Sequence, residues 1–278
     1  MNDPLETLYE PVLPVDPDPT FAAALRAQLA QALLHGTGET MSSNDTAVEG
    51  DAGYASIQVP DVTRAEAFYG SVLGWQFAPG SVAEGRQILG LPNQHMGLWG
   101  GQGHGGTFLA FAVEDAHETV RRIRAEGGTA DEPNQEAYGL AAMCADDQGM
   151  QFSIYQSPAA ERGPAPDAGT GEIVYLTFEV TDTARFRAFF TAVFGWRFSP
   201  GRAGGDRFNI DGVKPLSGLA GGHLETTIVP QYVVEDIDAA VARVRAAGGS
   251  ANEPQAQPYG RSTECTDDQG IRFYLAQL

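Results

Sequence analysis

The sequence predicts an α+β protein of two tandem domains, each made of paired βαβββ modules, preceded by an N-terminal helix. Three observations carry that prediction: an internal repeat, a strand-helix-three-strand pattern occurring twice in each copy, and turn residues separating the elements. Asp61 in VPDVTRAEAFYGSVLGWQFAPG and Asp182 in VTDTARFRAFFTAVFGWRFSPG lie 182 − 61 = 121 residues apart. The same offset carries Gly74 to Gly195, Trp75 to Trp196, Gly97 to Gly218, Pro133 to Pro254, Tyr138 to Tyr259 and Gly149 to Gly270. Residues 54–80 share 12 of 27 positions with 175–201, and 111–156 share 21 of 46 with 232–277. The alignment requires no insertion between them, and the chain reads as a duplication.

Residues 1–19 are rich in Pro and Asp and read as irregular. From Thr20, a plausible N-cap, Phe21, Leu25, Leu29 and Leu33 recur every fourth residue, which predicts one amphipathic helix over 20–35. Its apolar stripe needs a partner on the body or on another subunit. The expected division is an extension over 1–52, a first domain over 53–157, a linker over 158–171 and a second domain over 172–278. Each copy opens on an alternating strand, YASIQV or YLTFEV, then an Asp-containing turn and a helix. In the first copy Ala65, Phe68, Tyr69 and Val72 form the apolar face, and Gly74 ends the helix. Short strands follow at WQF, 86–89 and 96–99. The second half of the copy repeats the order: a strand at 107–113, the helix EDAHETVRRIRAEGG, and strands at 140–144 and 151–155 around DDQG.

Composition narrows the function. The formal net charge is −19, so neither nucleic acid nor an anionic membrane is an expected partner, because both need a basic face. Lys214 is the only lysine. No apolar run is long enough to span a bilayer and no signal-peptide pattern opens the chain, which reads as cytoplasmic. Cys144 and Cys265 sit at equivalent repeat positions and read as buried strand thiols. The pairs Asp146-Asp147 and Asp267-Asp268 occupy a turn where Asp accepts backbone N–H groups, a structural role. Trp75 and Trp196 read as core; Tyr138 and Tyr259 read as turn residues.

The helix signature VPDVTRAEAFYGSVLGW, together with VED, YG and DDQG further on, resembles the vicinal oxygen chelate superfamily of glyoxalases, bleomycin-resistance proteins and extradiol dioxygenases. Within it, the chain is similar to tandem actinobacterial members. The resemblance covers 53–278 and implies partly open barrels around a cleft. It also implies where divalent-metal ligands would fall: Tyr54 and Tyr175 for the first, Phe108 and Val229 for the second, Ser153 and Tyr274 for the last, with a further acidic position near Leu98 and Leu219. Phenol, hydroxyl and hydrocarbon do not supply the imidazole and carboxylate such sites use. No metal or other cofactor is therefore expected. His35, His95, His104 and His117 show no ligand spacing, and His223 and Glu225 read as incidental polar residues of a Gly-rich turn.

Tyr54, Trp99, Phe108, Ser153, Tyr175 and Tyr274 are the candidate ligand-binding residues. Aromatic walls with a few hydroxyls suit an aromatic or amphipathic small molecule. Inward tyrosines that simply fill the clefts are the competing reading. The leading functional expectation is a metal-independent small-molecule binding protein. The alternatives are a lyase, isomerase or hydroxylase with relocated ligands or tyrosine acid/base chemistry, and an interaction protein assembled through its leading helix. The fused pair is expected to act as its own dimer, as a monomer, or to form a homodimer.

Overall fold

In a computed structural model of the chain, residues 49–80, 84–103, 105–136, 139–156, 168–202 and 204–278 are described. The first copy contains β1 (Ala52–Gln58), α1 (Val62–Leu73), β2 (Gln76–Pro79), β3 (Gly85–Leu89) and β4 (His95–Trp99). Its second half contains β5 (Gly106–Val113), α2 (Ala116–Ala125), β6 (Thr129–Ala130), β7 (Asn134–Glu136), β8 (Gly139–Ala145) and β9 (Gln151–Gln156). The second copy begins with β10 (Ile173–Glu179), α3 (Thr183–Phe194), β11 (Arg197–Pro200), β12 (Arg207–Asp211) and β13 (Leu216–Ala220). It ends with β14 (Thr227–Val233), α4 (Ile237–Ala246), β15 (Ser250–Ala251), β16 (Gln255–Gln257), β17 (Gly260–Thr266) and β18 (Arg272–Gln277).

Local chemistry sets the helix limits. Asp61, Asp115, Asp182 and Asp236 each hold an extended conformation and accept a backbone N–H from the first turn, an N-cap contribution of about 1 kcal/mol each. Gly74 and Gly195 close α1 and α3 at φ 74° and 69°, the left-handed region where a Cβ is strained.

Each copy forms one open sheet. The order is β2-β3-β4-β1-β5-β9-β8-β6 with β7 on β8, and the second copy repeats it as β11-β12-β13-β10-β14-β18-β17-β15 with β16 on β17. The paired βαβββ reading holds. The pieces β6 and β7, with their counterparts β15 and β16, add short strands on the same partner that alternation over so few residues does not reveal. The repeat is also not free of insertions. Phe77 pairs with Ile88, whereas Phe198 pairs with Ile210, so the offset is 122 there and returns to 121 at Gly97 and Gly218. One consequence is that Arg86, ion-paired to Glu66 on α1, is replaced by Phe208, over which Arg187 of α3 stacks at 4.1 Å.

The two copies share a core. Tyr69 of α1 packs on Phe273 of β18, with ring centroids 6.0 Å apart, and Trp75 on Tyr232 of β14 at 5.4 Å. In the mirror arrangement Phe190 of α3 packs on Phe152 of β9 at 5.8 Å, and Trp196 on Phe111 of β5 at 5.5 Å. Trp75 and Trp196 are core residues, as expected. The polar seam obeys the same exchange. Arg64 binds Asp268 and Arg185 binds Asp147; Gln269 accepts from Asp61 N and Gln148 from Asp182 N; Arg243 caps Val72 O and Arg122 caps Val193 O. Contact i–j recurs with the copies exchanged, the signature of an isologous interface, here inside one chain. Asp146 and Asp267 each accept two backbone N–H groups of their own turn, consistent with a structural role. Cys144 and Cys265 are buried and unbridged. The expected helix over 20–35, and His35, His104 and Tyr138, lie outside the described residues.

Candidate functional site

Strand alternation gives each sheet two faces. Ala55, Ile57, Leu109, Phe111, Phe152 and Ile154 belong to the shared core with the helices. Tyr54, Ser56, Phe108, Ser153, Tyr155 and Trp99 are buried but are not part of that core; they occupy the opposite, outer face. Leu98 and Leu219 do belong to the core, so the position implied for an acidic ligand points away from the outer face in both copies.

The register shows which candidates come together. In the first copy, His95, Tyr54, Ala110, Ser153 and Met143 are cross-strand neighbours in one row; Gly97, Ser56 and Phe108 form the next. Trp99 pairs with Gln58, two residues farther along. In the second copy the matching row is Leu216, Tyr175, Gln231, Tyr274 and Glu264. Tyr54 and Ser153 thus share one row, on either side of Ala110, as Tyr175 and Tyr274 do on either side of Gln231. A Cβ on Gly97 would overlap the Tyr54 hydroxyl, and one on Gly218 the Tyr175 hydroxyl. Each tyrosine therefore lies flat across the neighbouring strand, and the glycine provides the space.

The two outer faces differ in chemistry. In the first copy Tyr54, Trp99, Phe108 and Met143 are between 2% and 5% exposed, and its two serines, Ser56 and Ser153, have buried hydroxyls with no hydrogen-bond partner. In the second copy Tyr175, Thr177, Glu264, Arg272 and Tyr274 are all half-buried. Leu216, Leu224 and Tyr259 on or beside this face are 63%, 97% and 49% exposed. A polar floor with an apolar rim results.

That floor contains residues the sequence reading missed. Arg272 donates to both Glu179 oxygens, at 2.6 and 3.1 Å, and to Glu264 at 2.8 Å. The two carboxylates hold its guanidinium even more firmly protonated than usual. His223 Nδ1 lies 3.3 Å from Glu179 Oε2, so His223 is part of this network and not an incidental turn residue; Glu225 is exposed, as a turn residue would be. Gln231 donates to Ser262 at 2.8 Å and to Tyr259 at 3.3 Å, so Tyr259 is more than a turn residue. One signal was available. Reading the copies against each other shows Ala110 becoming Gln231, Met143 becoming Glu264, Gln58 becoming Glu179 and Gln151 becoming Arg272, all on outward strand positions. Burial raises the Tyr175 and Tyr274 phenols above their ordinary value, so both are neutral donors near pH 7. A separate shallow groove at the seam, lined by Val72, Thr170, Asp236 and Arg243, lies away from both outer faces.

The donors needed for a metal do not fit. Among the described residues no group of three or more His, Cys, Asp or Glu side chains is placed to hold an ion. In the second copy the two outer-face carboxylates are already matched to a guanidinium. Among the described residues no helix is long and apolar enough to cross a membrane.

Comparison with known proteins agrees with this architecture. Residues 52–154 match the family model "Glyoxalase/Bleomycin resistance protein/Dioxygenase superfamily". Among solved structures, the chain is similar to a catechol 2,3-dioxygenase (12% identity, TM-score 0.62, covering 84% of this chain and 89% of that one). It is also similar to the Mn(II)-bound glyoxalase from Novosphingobium aromaticivorans (18%, 0.59, 83% and 82%). A third is the 2,3-dioxygenase LapB from Pseudomonas sp. KL28 (14%, 0.61, 82% and 93%). At these identities the likeness is one of fold. No curated protein matches the chain in sequence. The family model thus lies on the first copy, and the second copy repeats the same strand order, so the chain is similar to that superfamily and is built as a tandem of two paired βαβββ units.

Proposed function

We propose that the protein binds a small molecule on the outer face of its second copy, without a metal ion. The observation that carries this reading is the row Tyr175–Gln231–Tyr274, flanked by Arg272 held between Glu179 and Glu264. The phenols and the Gln231 amide offer donors and an acceptor at fixed positions, because Ser262 and Tyr259 hold the amide and Gly218 seats the Tyr175 ring. Exposed Leu216 and Tyr259 add apolar surface at the edge. A planar or amphipathic ligand matches such a face by stacking and a few directed hydrogen bonds. Internal charge compensation by Arg272 removes the need for an external cation. Of the six candidate residues, Tyr175 and Tyr274 belong to this site; Tyr54, Trp99, Phe108 and Ser153 lie on the closed face of the first copy.

The test is a titration with neutral planar probes, such as Nile red, before and after dialysis against a chelator. Saturable binding that survives the chelator and is lost on Gln231→Leu supports the reading; binding that disappears with the chelator overturns it. The His223–Glu179 pair favours a second reading, an enzyme in which His223, oriented by the carboxylate, moves a proton on a bound substrate. Under that reading His223→Gln abolishes turnover of a bound compound while leaving its affinity unchanged.

A further inference from the structure

The chain is held in the same way where it enters each copy. Gly50 donates to Ala112 O and Gly171 to Val233 O, both at 2.8 Å, and the Ala112 and Val233 N–H groups reach Asp51 O and Glu172 O at 2.9 and 3.0 Å. The residues just before these glycines, Glu49 and Thr170, therefore occupy equivalent places with different side chains. In the first copy the Glu49 carboxylate sits between two donors. Its Oε2 accepts the Glu114 N–H at 2.7 Å, and its Oε1 lies 3.8 Å from Arg122 Nη1. Burial raises that carboxyl, and the Glu114 N–H and Arg122 act against the rise, so both donors favour the anion. Arg122 also has a second carboxylate, Glu118 at 3.2 Å.

The second copy keeps both donors and lacks both carboxylates. Glu235 and Arg243 answer Glu114 and Arg122, whereas Thr170 and Ala239 answer Glu49 and Glu118. Arg243 donates to the Val72 carbonyl at 3.0 and 3.2 Å and makes no ion pair among the described residues. The Glu235 N–H has no hydrogen-bond partner among them either. A groove of about 230 Å³ opens beside these donors, with Val72, Leu73 and Val234 as its apolar lining. We propose that this groove binds a small aliphatic monocarboxylate, held by the Glu235 N–H and the Arg243 guanidinium as the first copy holds Glu49. Both donors form charge-assisted hydrogen bonds with a carboxylate, and the hydrocarbon lining suits a short branched tail. The volume excludes larger ligands, since drug-sized molecules need about 300 Å³ or more. Glu235 and Asp236 also line the groove, and their charge disfavours a dianion such as phosphate. The first copy has the same acidic pair, Glu114 and Asp115, and still seats one carboxylate. This inference does not depend on the ligand proposed for the outer face of the second copy.

Isovalerate is the probe, and the Glu235 amide in a proton–nitrogen correlation spectrum of the full chain provides the readout. That amide should shift saturably, with a midpoint on the order of millimolar, as one exposed ion pair and a small apolar contact allow. Isovaleramide, the neutral counterpart, should give no saturable shift. Thr170 is exposed, so Thr170→Glu can be made without disturbing the core, and it supplies the second copy with a carboxylate of its own. The variant should move the Glu235 amide in the direction isovalerate does and weaken isovalerate binding about ten-fold or more. The reverse exchange, Glu49→Thr with Glu118→Ala, should make the Glu114 amide of the first copy respond to isovalerate. The proposal is overturned by a Glu235 amide that does not respond, or by binding that is unchanged in Thr170→Glu. It is equally overturned by isovaleramide or inorganic phosphate binding as tightly as isovalerate, which would make the groove an apolar hollow or a general anion patch.

Discussion

Replacing Arg272 with Met tests whether the second copy holds its own cation. The substitution keeps the stem but leaves the Glu179 side chain, only 7% accessible, without the donors that reach it at 2.6 and 3.1 Å. Removing one partner of a fully buried pair costs about 3–5 kcal/mol. Arg272 is itself 38% accessible and His223 still faces Glu179, so solvent screening lowers the expectation to about 2 kcal/mol. For a chain of this size that corresponds to a fall in Tm of roughly 4–8 °C. Urea unfolding of the wild type, Arg272→Met, Glu179→Gln and the double variant closes a cycle. Because the double variant buries no unpaired charge, it should recover most of the loss, with a coupling of about 1–2 kcal/mol. A single variant as stable as wild type, or strictly additive losses, would refute the claim that these groups form one compensated unit.

Other consequences follow from the same geometry. Gly218→Ala should lift the Tyr175 ring from the strand floor and cost about 1–3 kcal/mol as overpacking; Tyr175→Phe, which removes the hydroxyl the new Cβ would meet, should rescue part of it in thermal melts. Phe190→Ala, at the centre of the seam, should destabilise by about 3–5 kcal/mol and loosen both copies at once, read as a single lowered transition, since its ring packs on Phe152 of the first copy as well as on Trp196 of its own. Burial raises the Asp146 carboxyl to about 6, and one of its oxygens has no hydrogen-bond partner. A raised native value means that stability present at low pH is lost as pH rises through about 6. Asp146→Asn keeps the acceptor and has no such charge. It should therefore gain up to about 3 kcal/mol relative to wild type between pH 4 and 7.5, a gain measured by urea midpoints and contradicted by a pH-independent difference.

Much of the fold was legible because duplication prints each signal twice. Asp61 and Asp182 announce helix starts, Gly74 and Gly195 announce their ends, and the two WxF corners mark the following strands. The shift of one residue at β12 was hidden because identities on either side hold the offset at 121, and only strand pairing reveals that Ile210 answers Ile88. The site was less legible. Tyr175 and Tyr274 were found through family spacing, but Glu179, Gln231, Glu264 and Arg272 became functional candidates only when pairing placed them on one face. His223 sits in a loop, where no periodicity indicates direction; its nearness to Glu179 is a tertiary fact. Nor does the sequence distinguish a closed from an open face: Tyr54 and Tyr175 are equivalent residues with different exposure.

The account turns on the second copy accepting a ligand with no ion in place. The most direct measurement is calorimetric titration of a neutral planar probe into protein of known elemental content, repeated after chelation. We expect metal far below one equivalent, an unchanged affinity after chelation, and loss of binding in Gln231→Leu with the first copy intact. One tightly held equivalent of iron or manganese, whose removal abolishes binding, would contradict it.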